Sequence, residues 1–211
     1  MKIEKQGYEI LTEISPNAEK ELRLIEKAGR TCYKSESGDF EKCKSFIRNI
    51  IANGHESVLE HSLLTVKFVT SRAVSHQLVR HRLCAFSQES QRYCNYSFGK
   101  FDNEITFIEP VDILETNSYK RWKAQCAEAE IAYMVLLGEG HLKPESARAV
   151  LPNSTKTELV VSANYREWRH ILRERTSKRA DPNMRQLMIP LLSHLYFRIP
   201  VVFEDIKEIG L

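Results

Sequence analysis

Strand patterns and helix patterns alternate along this chain, but few of them form the strand–helix–strand units of a parallel sheet. The segment SLLTVKFVT is rich in β-branched and apolar residues and predicts the clearest strand. Apolar residues recur at helical spacing in several other segments. Further predicted strands span residues 7–14, 103–110 and 155–164, and predicted helices include residues 39–53, 119–137, 165–176 and 183–198. We therefore expect an α+β fold with a mostly antiparallel sheet.

Size and composition fit one folded domain. The chain has 211 residues, of which 42% are hydrophobic and 28% charged, and we expect a single domain over residues 1–211. The net charge of +3 is too balanced for a protein that coats nucleic acid without specificity. An affinity for anions would have to come from local clusters of basic side chains.

The expected location is the cytoplasm. The first ten residues, MKIEKQGYEI, lack the apolar core of a secretory signal, and no apolar run is long enough to predict a membrane span. The five cysteines are scattered and form no C-x-x-C pair. Reduced thiols therefore fit better than a disulfide framework or a structural zinc site.

The segment RHRLCAFSQESQRY, residues 80–93, concentrates basic and hydrogen-bonding side chains around a single acid, Glu89. Its four basic or potentially basic residues and four hydroxyl or amide residues are Arg80, His81, Arg82, Arg92, Ser87, Gln88, Ser90 and Gln91. Arginine suits planar, bidentate recognition of phosphates and nucleobase edges. The segment predicts an anion site.

A second basic cluster lies on the predicted helix 165–176. Its members Arg166, Arg169, His170 and Arg173 would share one face, because they are spaced by three or four residues. Two explanations stay open at this point. An anionic ligand would relieve the repulsion, or acidic side chains such as Glu167 and Glu174 would neutralise a solvated face. Arg148, in SARAVLP, is a third isolated candidate.

Several common sites are excluded by their missing motifs. The sequence has no G-x-G-x-x-G, no G-x-x-x-x-G-K-[ST] and no G-x-S-x-G, and it has only eight glycines. Any phosphate must then be held mainly by side chains. The spacings of His55 with His61 and of His76 with His81 do not match the i, i+4 zinc pair, so we expect no metal. Neither Cys84 nor Cys94 has a motif around it.

Several segments, in order, carry a resemblance to a known family. Arg80-His81-Arg82 is followed by seven residues and then Ser90, with NGHESVLEH upstream. Downstream come ARAVLPN and NYREWRHILRERTSKRADPNMR. Together these segments resemble the flavin-dependent thymidylate synthases over about residues 8–198. One RHR tripeptide alone would be weak evidence for this family, but the ordered set of segments is specific to it.

The resemblance implies a fold and a reaction. It implies an antiparallel sheet flanked by helices, and a homotetramer with FAD at subunit interfaces. It also implies reductive methylation of dUMP to dTMP. Methylenetetrahydrofolate would give the carbon, NADPH would reduce the flavin, and the folate would leave as tetrahydrofolate. No nucleic acid or membrane partner is expected.

The resemblance also assigns site residues. The implied FAD contacts are Ser57, Arg80, His81, Arg82, Leu83, Gln88, Asn164, Arg166 and His170. The implied dUMP contacts are Gln77, Arg80, Gln88, Ser90, Gln91, Arg92, Arg148 and Arg175. Arg175 matches the arginine that activates the pyrimidine and is the implied catalytic residue. Gln88 stands where some members carry Glu, and His170 where some carry Asn.

Simple chemistry agrees with the assignment of Arg175. Carbon 5 of uracil is a poor nucleophile, and a guanidinium at the pyrimidine edge favours the charge that must develop on the ring. The hydride requires a cofactor such as reduced flavin. Two alternatives remain: a small nucleic-acid-binding module that uses the basic helix with Tyr93 and Tyr96, and a cysteine-dependent thymidylate synthase that uses Cys84 or Cys94.

Overall fold

The computed structural model describes residues 1–113 and 116–206, and these ranges form an α+β chain. The strands are β1 (Lys2–Glu4), β2 (Gly7–Ile10), β3 (Leu63–Ser71), β4 (Ala85–Gln88), β5 (Thr106–Ile108) and β6 (Lys156–Asn164). The helices are α1 (Glu19–Tyr33), α2 (Phe40–Ala52), α3 (Arg72–Leu78), α4 (Asn117–Gly138), α5 (Pro144–Ala147), α6 (Tyr165–Thr176), α7 (Pro182–Arg198) and α8 (Pro200–Phe203).

The main sheet has four antiparallel strands in the order β2-β3-β6-β4. A separate two-stranded sheet pairs β1 with β5 in parallel, and Ile3 lies opposite Phe107. The prediction of an α+β fold with a mostly antiparallel sheet is confirmed. β4 lies inside the segment 80–93, for which the sequence predicted no strand, and the short β1 had no sequence signal strong enough to predict it.

Capping side chains explain where several helices begin. The Asp39 side chain accepts a hydrogen bond from the Lys42 amide, and the Ser71 hydroxyl accepts one from the Val74 amide. Each satisfies a backbone N–H that has no partner within the helix. Ser15 followed by Pro16 is a sequence signal for the start of a helix, but a 3-10 turn occupies Pro16–Ala18 and α1 begins at Glu19.

The chain is divided into two compact units, each built from separate segments. We call residues 1–7, 67–80 and 86–160 the first unit, and residues 8–66, 81–85 and 161 onward the second unit. In the first unit, residues around α4 form the core: Tyr96, Ile105, Phe107, Cys126, Tyr133 and Ala147. Their burial explains the apolar spacing of the predicted helix 119–137.

The core of the second unit is built on helix pairs. α1 packs on α2, and α6 packs on α7. On α6 the buried residues Trp168, Ile171 and Leu172 are spaced by one helical turn. Trp168 Nε1 also donates to the Leu64 carbonyl of β3, 2.9 Å away. These contacts fix α6, which carries the candidate site residues Arg166, His170 and Arg175.

Among the described residues, no helix combines the length and the apolar character that a membrane span requires.

Candidate active site

The basic face of α6 is partly a structural feature. Arg169 is completely buried, and its two Nη atoms bind the Asp205 carboxylate at 2.6 and 2.7 Å. Its Nη2 atom also donates to Glu56 at 3.0 Å, and Arg173 donates to both acids at 3.2 Å. Arg169 therefore does not face a ligand. Acidic side chains therefore neutralise this part of the basic face, as one of the two explanations proposed. The acids are Glu56 and Asp205 rather than Glu167 and Glu174.

The other end of the same face borders a groove of about 590 Å³. Arg166 donates to Glu60 at 2.6 Å, and both side chains are about half exposed. The groove therefore offers cationic donors, an amide and carboxylate acceptors. Its lining residues are Glu56, Glu60, Leu83, Asn164, Arg166, Glu167, His170 and Arg173.

Four of the predicted cofactor residues line this groove: Leu83, Asn164, Arg166 and His170. Asn164 has a structural task as well, because its Oδ1 accepts the Glu167 amide at 2.8 Å and begins α6. Leu83 is 76% exposed and is therefore accessible to a ligand in the groove. Ser57 and Arg82 belong to the same unit and are exposed.

His81 is buried beside Arg175 and Glu167. The Arg175 Nε–H group donates to His81 Nε2 at 2.9 Å. On the other side of the ring, His81 Nδ1 lies 3.7 Å from a Glu167 carboxylate oxygen. The His170 ring meets the His81 ring edge-on, with 5.5 Å between centroids. Burial, together with the charge of Arg175 and the nearby His170, lowers the pKa of His81 to about 4. His81 is therefore neutral at neutral pH.

His81, Glu167 and His170 also have the composition of a metal site, since their ligand atoms lie within 4.8 Å of one another. Two features oppose that use. Arg175 already binds one nitrogen of His81, and its permanent positive charge would repel a cation. The arrangement suits a held guanidinium better than a metal ion.

The first unit holds the predicted nucleotide residues that surround β4. Gln88 Nε2 donates to the hydroxyls of Ser75 and Thr157, at 2.9 and 3.2 Å, which leaves Oε1 as its acceptor. Gln91 is buried, and the Ser90 hydroxyl accepts the Arg92 amide at 3.3 Å. The structure thus gives Ser90 and Gln88 fixed polar contacts.

Two of the predicted dUMP contacts, Arg92 and Arg148, both contact Glu145, the first at its carboxylate and the second at its backbone carbonyl. Arg92 Nε lies 3.5 Å from the Glu145 carboxylate, and Arg148 Nε donates to the Glu145 carbonyl at 3.2 Å. The structure thereby brings together arginines from separate segments of the first unit. An exposed pair of this kind is weak, so a phosphate dianion could displace the Glu145 carboxylate. The remaining predicted residues of this unit differ in exposure: Gln77 is half-buried and Arg80 is exposed.

The cysteines proposed as nucleophiles have the wrong protonation state. Burial, with the nearby Glu167 carboxylate, raises the pKa of Cys84 to about 12. Burial and Glu89 likewise raise the pKa of Cys94. Because the thiolate is the reactive form, neither residue is prepared for attack on a pyrimidine.

The two tyrosines proposed for base stacking differ in their exposure. Tyr96 is buried in the core of the first unit, and its hydroxyl donates to Glu89 at 2.8 Å. Tyr93 is 78% exposed and lies beside Arg92. A stacking platform of two tyrosines is therefore not formed, which weakens the nucleic-acid alternative.

Comparison with known proteins places the chain in a family. The sequence profile of the thymidylate synthase complementing protein family matches residues 13–201. The chain belongs to this family. It is 36% identical to a flavin-dependent thymidylate synthase of Corynebacterium aurimucosum over 212 residues, covering 92% of this chain and 83% of that protein. The enzymes of the same name from Mycobacterium avium and Mycobacterium tuberculosis are 36% and 35% identical, each covering 87% of this chain and 79% of the relative.

Two acidic residues at the candidate site, Glu145 and Glu167, were not predicted from the sequence to be site residues. Glu145 precedes Arg148 by one helical turn, but nothing in the sequence predicts that Arg92 lies beside it. Glu167 follows the capping Asn164 by three positions, a spacing typical of a residue in the first turn of a helix. That spacing explains its place on α6 but not its approach to His81.

Proposed function

We propose that this chain is a flavin-dependent thymidylate synthase that converts dUMP to dTMP by reductive methylation. 5,10-Methylenetetrahydrofolate would donate the carbon, NADPH would be the reductant, and tetrahydrofolate would be released. The likeness to the curated enzymes of that name, at 35–36% identity over most of the chain, carries the proposal. The low reactivity of the thiols agrees with it, because a cysteine-dependent synthase needs a thiolate.

The groove on α6 fits a flavin nucleotide chemically. Exposed Arg166 and His170 can donate to phosphate oxygens, whereas Glu56 and Glu60 can accept from ribose hydroxyls. The FAD, when bound, supplies the hydride that no protein side chain can supply. The residues proposed to hold it are Ser57, Arg80, His81, Arg82, Leu83, Gln88, Asn164, Arg166 and His170.

The proposed dUMP site is centred on the first unit. Arg92 and Arg148, joined at Glu145, would hold the phosphate. The polar residues Gln77, Arg80, Gln88, Ser90 and Gln91 would fix the sugar and the base. Arg175 would contact the pyrimidine edge. The fixed contacts of Gln88 with Ser75 and Thr157 support this, since a held amide loses little freedom when it binds.

Arg175 carries the proposed activation step. Its guanidinium stabilises negative charge on the pyrimidine oxygens and N3, which raises the nucleophilicity of carbon 5. The charge is permanent, because an arginine does not deprotonate in proteins. Its hydrogen bond to neutral His81 helps to hold the group in place. Carbon 5 can then attack the methylene group of the folate: a carbon–carbon bond forms, the carbon–nitrogen bonds of that group break, and carbon 5 loses its proton. The hydride that the reduced cofactor would supply completes the methyl group, and tetrahydrofolate is released.

Replacing Arg92 or Arg148 by alanine should weaken dUMP binding rather than chemistry. Loss of one charge-assisted contact costs roughly 1.5–3 kcal/mol, or about 10- to 100-fold in affinity. Isothermal titration with dUMP, on the FAD-loaded protein, measures this. Glu145→Gln is the matched control and should keep or improve affinity, because it removes only the competing negative charge. Unchanged dissociation constants in both arginine variants would remove these residues from the site.

We propose a homotetramer in the cytoplasm, as the family resemblance implies. In such an assembly a neighbouring subunit would cover exposed apolar side chains such as Phe197, which is 80% exposed. Light scattering at assay concentration should report a mass about four times that of the chain. An active monomer would contradict shared sites.

The reaction itself is tested by anaerobic turnover with dUMP, methylenetetrahydrofolate, FAD and NADPH. We expect dTMP to form, the loaded protein to show flavin absorbance, and omission of FAD to stop the reaction. Cys84→Ala and Cys94→Ala should each retain dTMP formation. Turnover that survives FAD removal but is lost in either cysteine variant would support the cysteine-dependent alternative instead.

A further inference from the structure

We propose that His81 and Glu167 form a positioning pair that orients the guanidinium of Arg175 for pyrimidine activation. The inference rests on the proposed function, since it assigns Arg175 to that step. It adds a task to His81, which the resemblance assigns only to the flavin, and it includes Glu167, to which the resemblance assigns nothing.

The geometry supports a direct hold on Arg175. Its Nε–H group donates to His81 Nε2 at 2.9 Å, a normal length for a charge-assisted hydrogen bond. Because Nε lies at the base of the guanidinium, this bond fixes the plane of the group. Orientation matters here, since a misplaced catalytic group loses much of its effect.

The bond requires one particular tautomer of His81. Nε2 must be unprotonated to accept from Arg175, so the ring proton must sit on Nδ1. The Glu167 carboxylate lies 3.7 Å from Nδ1 and favours a proton there. Both side chains are buried, 6% and 8% exposed, which strengthens this preference. Glu167 is itself fixed by its place in the first turn of α6, three residues after the capping Asn164.

Protonation of His81 would break the arrangement. It would place an N–H group against the Arg175 N–H and a second positive charge beside the first. Arg175, His170, Glu174 and Glu167 on α6 act on this ring, and the net result of burial and charge is a neutral imidazole. The hold on Arg175 therefore persists at neutral pH.

The test compares two replacements of His81 that differ in one property. Glutamine can place Oε1 near the position of Nε2 and still accept from Arg175, whereas phenylalanine keeps the ring volume without an acceptor. At saturating FAD and dUMP, we expect His81→Phe to lower kcat for dTMP formation by roughly 10- to 100-fold. His81→Gln should recover most of this loss. Both variants are first checked for bound flavin and for thermal unfolding.

A double-mutant cycle separates positioning of Arg175 from a general effect on the fold or the flavin. Arg175→Lys keeps the charge but lacks the Nε–H group, so it provides a background with residual activity. In this background His81→Phe should change kcat by less than about threefold, because its target is already lost. Glu167→Leu should lower kcat more than Glu167→Gln, which keeps an amide oxygen near Nδ1.

The outcomes are distinguishable. Equal kcat values for His81→Gln and His81→Phe, or an undiminished effect of His81→Phe in the Arg175→Lys background, would overturn the positioning role. Either result leaves the proposed function intact as long as Arg175→Ala loses methylation. Normal methylation by Arg175→Ala would instead remove the activation step, and with it this inference.

Discussion

Replacing Arg175 by alanine should lower kcat for dTMP formation by at least about 100-fold while FAD still binds and accepts electrons from NADPH. Removing one preorganised donor from a developing anion typically costs about 10²–10³ in rate. The loss should appear in kcat, because the guanidinium acts mainly on the charge that develops during the reaction. Parallel assays of flavin reduction and of dTMP formation measure the two half-reactions separately.

Two variants serve as controls for Arg175. Arg179→Ala removes an exposed arginine four positions away and should behave like the parent enzyme. Ser90→Ala should bind dUMP more weakly yet keep measurable methylation, since the Ser90 hydroxyl is engaged with the Arg92 amide. Loss of methylation in Ser90→Ala with dUMP binding intact, beside near-normal turnover of Arg175→Ala, would reverse the assignment of the activating residue.

Replacing Arg169 by methionine should destabilise the protein by about 3–5 kcal/mol, the usual cost of breaking a buried ion pair from one side. Arg169 is fully buried and binds both Glu56 and Asp205, so its loss leaves acidic groups without their main partner. The measurement is the free energy of unfolding from urea titration. The matched control is Arg48→Ala, which breaks an exposed pair with Glu204 and should cost no more than about 1 kcal/mol. Similar losses in the two variants would contradict a structural core around Arg169.

The contribution of Arg169 to the free energy of unfolding should depend on pH. Burial alone would raise the pKa of Glu56 and of Asp205, but the hydrogen bonds and charge of Arg169 outweigh it and lower both. A carboxyl group with a lowered pKa stabilises the fold at pH values above its ordinary pKa. This stabilisation is lost as the pH falls through the lowered pKa. The gap in unfolding free energy between parent and Arg169→Met should therefore narrow as the pH falls below about 4.5, the ordinary value for Glu.

Local patterns predicted the long elements well. Residues 39–53 became α2 with Asp39 as its cap, and residues 155–164 became β6, because apolar spacing and caps act within a few residues. The short strands β1 and β4 were missed, since each is held by pairing with a distant strand. Contacts across the chain decide such elements, and no local window contains them.

The same limit applies to the site. Resemblance supplied Arg92, Arg148 and Arg175, but it did not supply the counter-ions that distinguish them from Arg169. The basic residues of α6 share one helical spacing. Arg169 is nevertheless buried against Glu56 and Asp205, whereas Arg166 borders an open groove. Spacing places side chains on a face; only the fold shows which part of that face meets acids and which part meets solvent.

The identity of the folate product tests the central claim most directly. When the hydride comes from the flavin, each dTMP should be accompanied by one tetrahydrofolate in anaerobic turnover with NADPH. Chromatography of the folates against dTMP formed gives this ratio. Dihydrofolate appearing in step with dTMP would show that the folate itself was oxidised, and would contradict a flavin-dependent reaction.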